Sequence, residues 1–376
     1  MSASRVLALL SLLLAAPVLA ETGTVRRLAL LVGVNDGGPG RVRLRYAVSD
    51  ARSFDRVLGE LGGVAAADRR LLVETGRAGL LEALGELRSR TEAARASGAS
   101  RVEVLVYYSG HSDEVGLLLK GERLGYGELR RALNALPADV RIAVLDSCAS
   151  GAFARAKGGT RRPAFFILTS SNEDETSQES DRLGASYFTH HLISGLRGAA
   201  DATRDGRVTL DEAYQFAFHE TLARTEKTRG GAQHPAYDIG MAGSGDLVMT
   251  DLRATSAGLY LTEALEGRLF VRDEAGTLVV ELRKLPGRLA ELGLAPGRYH
   301  VRRELDSGAS EAHITLVEGQ RTPLAPASFQ AGPLETEEEA LSSSSGPRSR
   351  PWGRGAASPP TPGEPPHRPG TRPAWH

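Results

Sequence analysis

The sequence predicts an α/β protein: a three-layer sandwich with a mostly parallel six-stranded sheet and helices on both faces, followed by a small β-sandwich and a disordered tail. Three observations carry this. Apolar, β-rich runs alternate with stretches of helical period up to about residue 251; short strands broken by Ala-Gly, Pro-Gly and Ser-Gly come next; the last stretch is rich in Pro, Ser, Gly and Arg.

Residues 1–20 read as a signal peptide. Arg5 precedes an apolar run over 6–14, and Val18-Leu19-Ala20 offers a small-residue cleavage site. That run is too short to span a bilayer, and no later stretch approaches the roughly 20 apolar residues a spanning helix needs. An exported protein, periplasmic or secreted and without a transmembrane segment, is therefore expected.

Within 21–251 the strand candidates are 28–34, 69–73, 102–108, 140–146, 164–170 and 246–250. Between the first two, Ala47, Ala51, Phe54, Leu58 and Leu61 fall on one helical stripe that Gly62-Gly63 ends. Further helices are expected over 80–94, 126–136, 185–196 and 210–223. Residues 252–328 carry short strands at 268–272, 277–282, 298–303 and 313–317, the pattern of the small sandwich. From 329 to 376 few large apolar residues remain, too few to offset the entropy of ordering the chain.

Charge excludes some partners. Lys+Arg and Asp+Glu number 46 each, so no net field draws the chain to nucleic acid. The single cysteine, Cys148, closes no internal disulfide. Its blander reading is a buried, inert thiol; the local sequence argues for more. Two strands run into polar clusters at their carboxyl ends, Ser109-Gly110-His111 and Asp146-Ser147-Cys148-Ala149-Ser150-Gly151. In open α/β sheets ligands bind at that edge, and neighbouring strands lie about 4.8 Å apart. One crossover helix fits between them. A thiol is only slightly ionised at neutral pH and needs an imidazole or a helix N-terminus to raise its thiolate fraction; the pattern offers Cys148 both. Small neighbours let a substrate carbonyl approach, with the N–H groups of Gly110 and Cys148 as oxyanion donors. The chemistry itself requires no cofactor.

These motifs carry a resemblance. Tyr107-Tyr108-Ser109-Gly110-His111 and Asp146-Ser147-Cys148-Ala149-Ser150-Gly151 resemble the catalytic His and Cys motifs of bacterial metacaspases. Leu30-Leu31-Val32-Gly33-Val34-Asn35 is similar to that family's first strand, and Ser49-Asp50-Ala51 to its first-helix signature. The likeness spans about residues 27–251. It implies a caspase-like fold and a peptidase with His111 as general base and Cys148 as nucleophile. It also implies an acidic pocket built from Asp50, Ser109 and Asp146, which takes Arg or Lys before the cut; two carboxylates there would pair with a basic side chain. Legumain-like and gingipain-like peptidases of the same superfamily are the neighbouring alternatives. One position departs from the pattern: Ser112 stands where the family usually has Gly after the histidine. A side chain there is expected to crowd the backbone's approach to substrate, and it keeps open a catalytically impaired scaffold of the cell envelope.

Three further features complete the reading. The basic loop containing Arg155, Lys157, Arg161 and Arg162 follows the cysteine motif; related enzymes are often cut there during maturation, so self-processing is expected, against a plain solvated loop. The stretch 201–212 reads like an EF-hand loop, with acids at positions one, five and twelve (Asp201, Asp205, Glu212) and Gly206 at six. Thr203 departs from the usual Asp or Asn at position three, and Arg207 would contribute its carbonyl. Weak Ca²⁺ binding, on the order of 10⁻⁴–10⁻³ M, is one expectation; a metal-free turn capping the next helix is the other. His190-His191 sit in a helix, where adjacent residues point to different faces, and so make a poor metal pair. Oligomeric state is not legible.

Overall fold

The computed structural model describes residues 24–155, 164–172, 175, 177–240 and 247–331. The expected signal peptide, the loop 156–163 with Lys157, Arg161 and Arg162, and the chain beyond 331 lie outside the described residues.

The chain opens with β1 (Val25–Val34), α1 (Ala47–Glu60), β2 (Arg69–Val73), α2 (Arg77–Ala96) and β3 (Arg101–Ser112). A hairpin of β4 (Gly116–Leu119) and β5 (Glu122–Gly125) leads into α3 (Tyr126–Asn134), β6 (Val140–Asp146), the short α4 (Gly151–Arg155) and β7 (Ala164–Thr169). Then come β8 (Glu179–Ser180), β9 (Ala185–Ser186), α5 (Tyr187–Ser194), β10 (Arg207–Thr209), α6 (Leu210–Thr225), β11 (Ala236–Gly240) and β12 (Val248–Asp251).

The main sheet has the order β11-β7-β6-β3-β1-β2, with the β4–β5 hairpin branching from the end of β3. Strands β2, β1, β3, β6 and β7 are parallel. The central strands β1, β3 and β6, buried on both faces, read as near-continuous apolar runs rather than alternating ones, whereas β2 at the edge is half-exposed. Alternate residues nevertheless serve two cores. Ala29, Leu31, Leu105, Tyr107, Ile142 and Val144 face α1, α5 and α6, while Leu30, Val32, Val104, Val106 and Leu145 face α2 and α3. The stripe expected on α1 is the one that is buried, and Asp50 is buried with it. Gly33 allows α1 to sit close on the sheet, since a Cβ there would stand 2.5 Å from the Ala47 carbonyl oxygen.

The sixth strand of this sheet corrects the sequence reading. It is β11, antiparallel to β7, and not the stretch expected at 246–250. Its described part, β12, pairs with β10 instead, because Leu247 and Met249 join Val208 and Leu210 in the helix-side core. An apolar run announces burial but does not say which core buries it.

After residue 251, β13 (Ala257–Leu261), β14 (Gly267–Asp273), β15 (Leu278–Lys284), β16 (Ala290–Leu294), β17 (Gly297–Leu305), β18 (Gly308–Leu316), β19 (Arg321–Leu324) and β20 (Gln330–Ala331) form two sheets, ordered β16-β13-β19 and β15-β14-β17-β18-β20. Their inner faces share one core, with Ala199 and Phe216 of the preceding region packed against it. Strand β20 lies beyond the expected limit at 328 and pairs with β18. Arg224 and Glu220 of α6 bond Glu281 and Arg268 of the sandwich, so the β-layer docks on α5 and α6.

Candidate active site

Strands β3 and β6 are neighbours, in register from Glu103↔Val140 to Ser109↔Asp146. His111 and Cys148 each lie two residues past the last pair, so parallel pairing delivers both to one rim. Strand β3 runs four residues further than expected, to Ser112, because His111 and Ser112 pair with Leu118 and Leu117 of β4. This hairpin holds the histidine segment rigid. Tyr108 adds to it by donating its hydroxyl to the His111 carbonyl at 2.7 Å, and it fills the place a Gly110 side chain would take.

The imidazole is half-buried, and its Nε2 lies 2.8 Å from the Val42 carbonyl oxygen. A carbonyl only accepts, so Nε2 carries the hydrogen and, in the neutral ring, Nδ1 carries the lone pair. The loop after β1 makes this contact possible. Gly37 packs on the ring so closely that a Cβ would stand 2.5 Å from His111 Cδ2. Burial lowers the imidazole's pKa, with the Val42 carbonyl pulling the other way and nearby Arg41 adding to the fall.

Cys148 is partly exposed. Burial raises its pKa, the Ser177 backbone opposes that, and the Asp146 carboxylate adds to the rise. Neither activating device named from sequence acts on the thiol in this state: no hydrogen bond joins it to His111 among the described residues, and α4 begins three residues later and is five residues long. Both shifts favour a protonated thiol beside a neutral imidazole. A Cys–His contact that is long without substrate is ordinary for catalytic groups, which tighten on binding.

Ser112, the position that departs from the family pattern, has a partner of its own. It is buried, keeps a negative φ, and donates its hydroxyl to the Cys148 carbonyl. The extra side chain ties the His111 and Cys148 segments together. Ala149, next to the thiol, sits at φ 52° and donates its N–H to the Glu175 carbonyl.

Asp50, Ser109 and Asp146, which the family resemblance groups into one pocket, are all buried; Ser109 and Asp146 pair in register across β3 and β6, and Ser186 bonds both Asp50 and Asp146. Asp146 Oδ1 accepts from Ser177 Oγ at 2.7 Å, and Oδ2 accepts from the Ser186 hydroxyl and from Thr189 Oγ1 at 2.6 Å. Since the threonine donates there, the Tyr107 hydroxyl, 2.7 Å away, must donate to Thr189. Asp50 accepts from the Ser186 N–H at 3.2 Å. Burial drives its pKa well up, and the charges of Asp146 and Glu179 push the same way. Sequence reasoning missed Val42, Ser177, Glu179, Ser186 and Thr189. The Gly-rich run 37–40 at a strand's carboxyl end was the only local signal; the others act through backbone atoms or lie far along the chain. Glu179 accepts the N–H groups of Arg45 and Tyr46, joining β8 to the loop over His111.

The loop 201–212 is closed by its own bonds. Asp201 accepts from the N–H groups of Asp205 and Gly206, Asp205 from that of Arg207, and Glu212 Oε1 from that of Thr203. Glu212 also completes a capping box with Thr209 at the start of α6. Arg155 closes α4, at the edge of the described residues. No helix among the described residues is long and apolar enough to cross a membrane.

A three-layer α/β sandwich whose adjacent strands bring a histidine and a cysteine to one rim has the arrangement of a thiol hydrolase. The family model described as "Caspase domain" matches residues 26–242, more than half of the chain, and the protein belongs to that family. It is accordingly a cysteine peptidase, with proteins as substrates. The crystal structure of caspase-1 from Spodoptera frugiperda is similar at 15% identity and a TM-score of 0.47, over 61% of this chain and 91% of that one. No curated protein matched the sequence.

Proposed function

We propose that the protein is an endopeptidase that cuts after Arg or Lys. The carrying observation is the pair of buried carboxylates, Asp50 and Asp146, placed beside the rim that holds His111 and Cys148. A guanidinium or ammonium entering that pocket would replace like-charge repulsion by two opposite-charge contacts, whereas an acidic side chain would add a third negative charge. In the reaction His111 Nδ1 takes the Cys148 thiol proton as sulfur attacks the scissile carbonyl. The N–H groups of Gly110 and Cys148 receive the developing oxyanion. The imidazole then passes the proton to the leaving amine, and water, deprotonated by the same nitrogen, hydrolyses the thioester and frees the thiol. The Val42 carbonyl holds the ring in the required tautomer throughout.

The same specificity makes the chain its own candidate substrate at Arg155, Lys157, Arg161 or Arg162, and the signal-like stretch 1–20 supports export. Ca²⁺ would enter at 201–212 as a modulator and not in the chemistry. The decisive experiment is hydrolysis of peptides varied at the residue before the cut, together with labelling by a peptidyl-Arg chloromethyl ketone. Cleavage after Arg and Lys that vanishes in Cys148→Ala is the expected result; wild-type turnover by that variant would overturn the assignment. Cleavage after Asp or Asn would instead overturn the pocket.

A further inference from the structure

Helix α5 presents His190 and His191 to the interior, where β15 sets Glu281 against both. Neighbours on a helix point about 100° apart, but β15 packs along α5 and Glu281 meets both rings. All three are sealed, at 4%, 0% and 0% exposure. One oxygen of Glu281 is fully used: Oε1 accepts from Arg224 at 2.6 Å and from Arg268 at 2.5 Å. Arg268 is shared with Glu220, and the Glu281 N–H donates to Ser194 Oγ at 3.0 Å.

What is left over is unusual. Among the described residues both ring nitrogens of His191 are buried without a hydrogen-bond partner, and His190 Nε2 and Glu281 Oε2 have none but their own long ion pair. Folded proteins rarely leave several such atoms in one place. His190 Nε2 and Glu281 Oε2 stand 3.5 Å apart, and one ligand atom from each of the three residues lies within 4.8 Å of the others. Ligands at about 2.0–2.1 Å around a tetrahedral ion are about 3.3 Å apart, so the His190–Glu281 edge already has nearly the right length. Small rotations of the His191 ring would close the rest.

We propose that His190, His191 and Glu281 bind one Zn²⁺ ion. Two imidazoles and a carboxylate suit zinc. A cavity of about 40 Å³ touches the cluster on the His190 side only, its wall shared with Asp50, Ile193 and Arg197 and not with His191 or Glu281; water completing the tetrahedron would have to reach the ion past His190. Glu220 and Glu281 already offset Arg224 and Arg268, so the ion's charge stays uncompensated and the site binds more weakly than a thiolate site would. Zinc here is structural. It fastens the sandwich strand β15 to the helix whose first turn, through Ser186 and Thr189, holds Asp50 and Asp146. It thereby links the β-layer to the floor of the pocket.

The test uses the full chain carrying Cys148→Ala, which removes the thiolate as a competing ligand, stripped with a zinc-selective chelator. Elemental analysis after Zn²⁺ reloading should give one ion per chain and a raised melting temperature. Co²⁺ should give visible d–d bands without thiolate charge transfer. His191→Ala should lower metal affinity about tenfold or more, and Glu212→Gln should leave it unchanged. Should His191→Ala not fold, His190→Gln, beside the cavity and still able to hydrogen-bond, decides the matter: it should fold and lose the metal. A folded parent that takes up no zinc in excess Zn²⁺, or a folded His190→Gln that keeps it fully, overturns the proposal. Neither readout depends on peptidase activity or on the Arg/Lys preference.

Discussion

His111 Nε2 and the Val42 carbonyl oxygen, 69 residues apart in the chain, meet at 2.8 Å. Through this contact the Gly-rich loop after β1 orients the imidazole proposed as the base. Gly37 is where that loop rests on the ring, and a methyl group there has to displace the imidazole. Gly37→Ala is expected to lower kcat about tenfold or more, because small misplacements of catalytic groups are costly, while the melting temperature stays near that of the parent. Val42→Ala, which keeps the carbonyl and alters an exposed side chain, should retain full activity. Steady-state kinetics on both variants checks this.

A protonated thiol beside a neutral imidazole makes a pH prediction. Burial raises the Cys148 pKa and lowers that of His111, so the thiol stays protonated above the ordinary cysteine value of about 8.5 and the imidazole stays basic below about 6.5. Alkylation by iodoacetamide should keep accelerating with pH where an ordinary thiol has levelled off. In contrast, the acid limb of kcat/KM should lie below the usual histidine range. A rate of alkylation that is flat from mildly acidic to neutral pH would reveal a preformed thiolate–imidazolium pair and defeat this reading.

Asp50 couples specificity to stability. Its folded pKa is raised by burial and by Asp146, so the neutral acid suits the fold and the ionised form does not. Stability from this group is full below the unfolded value of about 3.9 and is lost as pH rises through the higher folded value. Asp50→Asn should therefore melt higher than the parent at neutral pH and equally near pH 4, and should lose at least tenfold in kcat/KM for Arg substrates. Calorimetric scans at the two pH values, with kinetics alongside, measure both effects.

Ser112 supplies a bond the family's usual glycine cannot make. Ser112→Gly removes the hydroxyl that donates to the Cys148 carbonyl and should cost about 1 kcal/mol, with a little more for glycine's backbone freedom. Chemical denaturation reads that loss. Turnover should persist, since no substrate atom depends on the hydroxyl.

Glu212 caps α6 whether or not Ca²⁺ binds nearby. Glu212→Ala should destabilise the protein by about 1 kcal/mol in metal-free buffer. Calorimetry with millimolar Ca²⁺ then tests the loop: weak heat in the parent that disappears in the variant is the expected outcome, and no heat in the parent removes calcium from the account.

Much of the fold is written locally in the sequence. Near-continuous apolar runs such as 102–108 and 140–146 announce strands buried on both faces, and the polar clusters that end them announce the rim where chemistry gathers, because period and composition are local properties of the chain. The apolar stripe of α1 was equally local, but the burial of Asp50 beside it was not part of that stripe and came with the packing of the helix. Local sequence did not reveal that β11 rather than β12 completes the sheet, that Ser112 reaches the Cys148 carbonyl, that Val42 sets the histidine tautomer, or that His190 and His191 both meet Glu281. Those depend on strand pairing and on the docking of the sandwich against α5, which bring residues tens to hundreds of positions apart within a few ångströms. Hydrogen bonds and desolvation act over that range only, so the tertiary structure alone decided them.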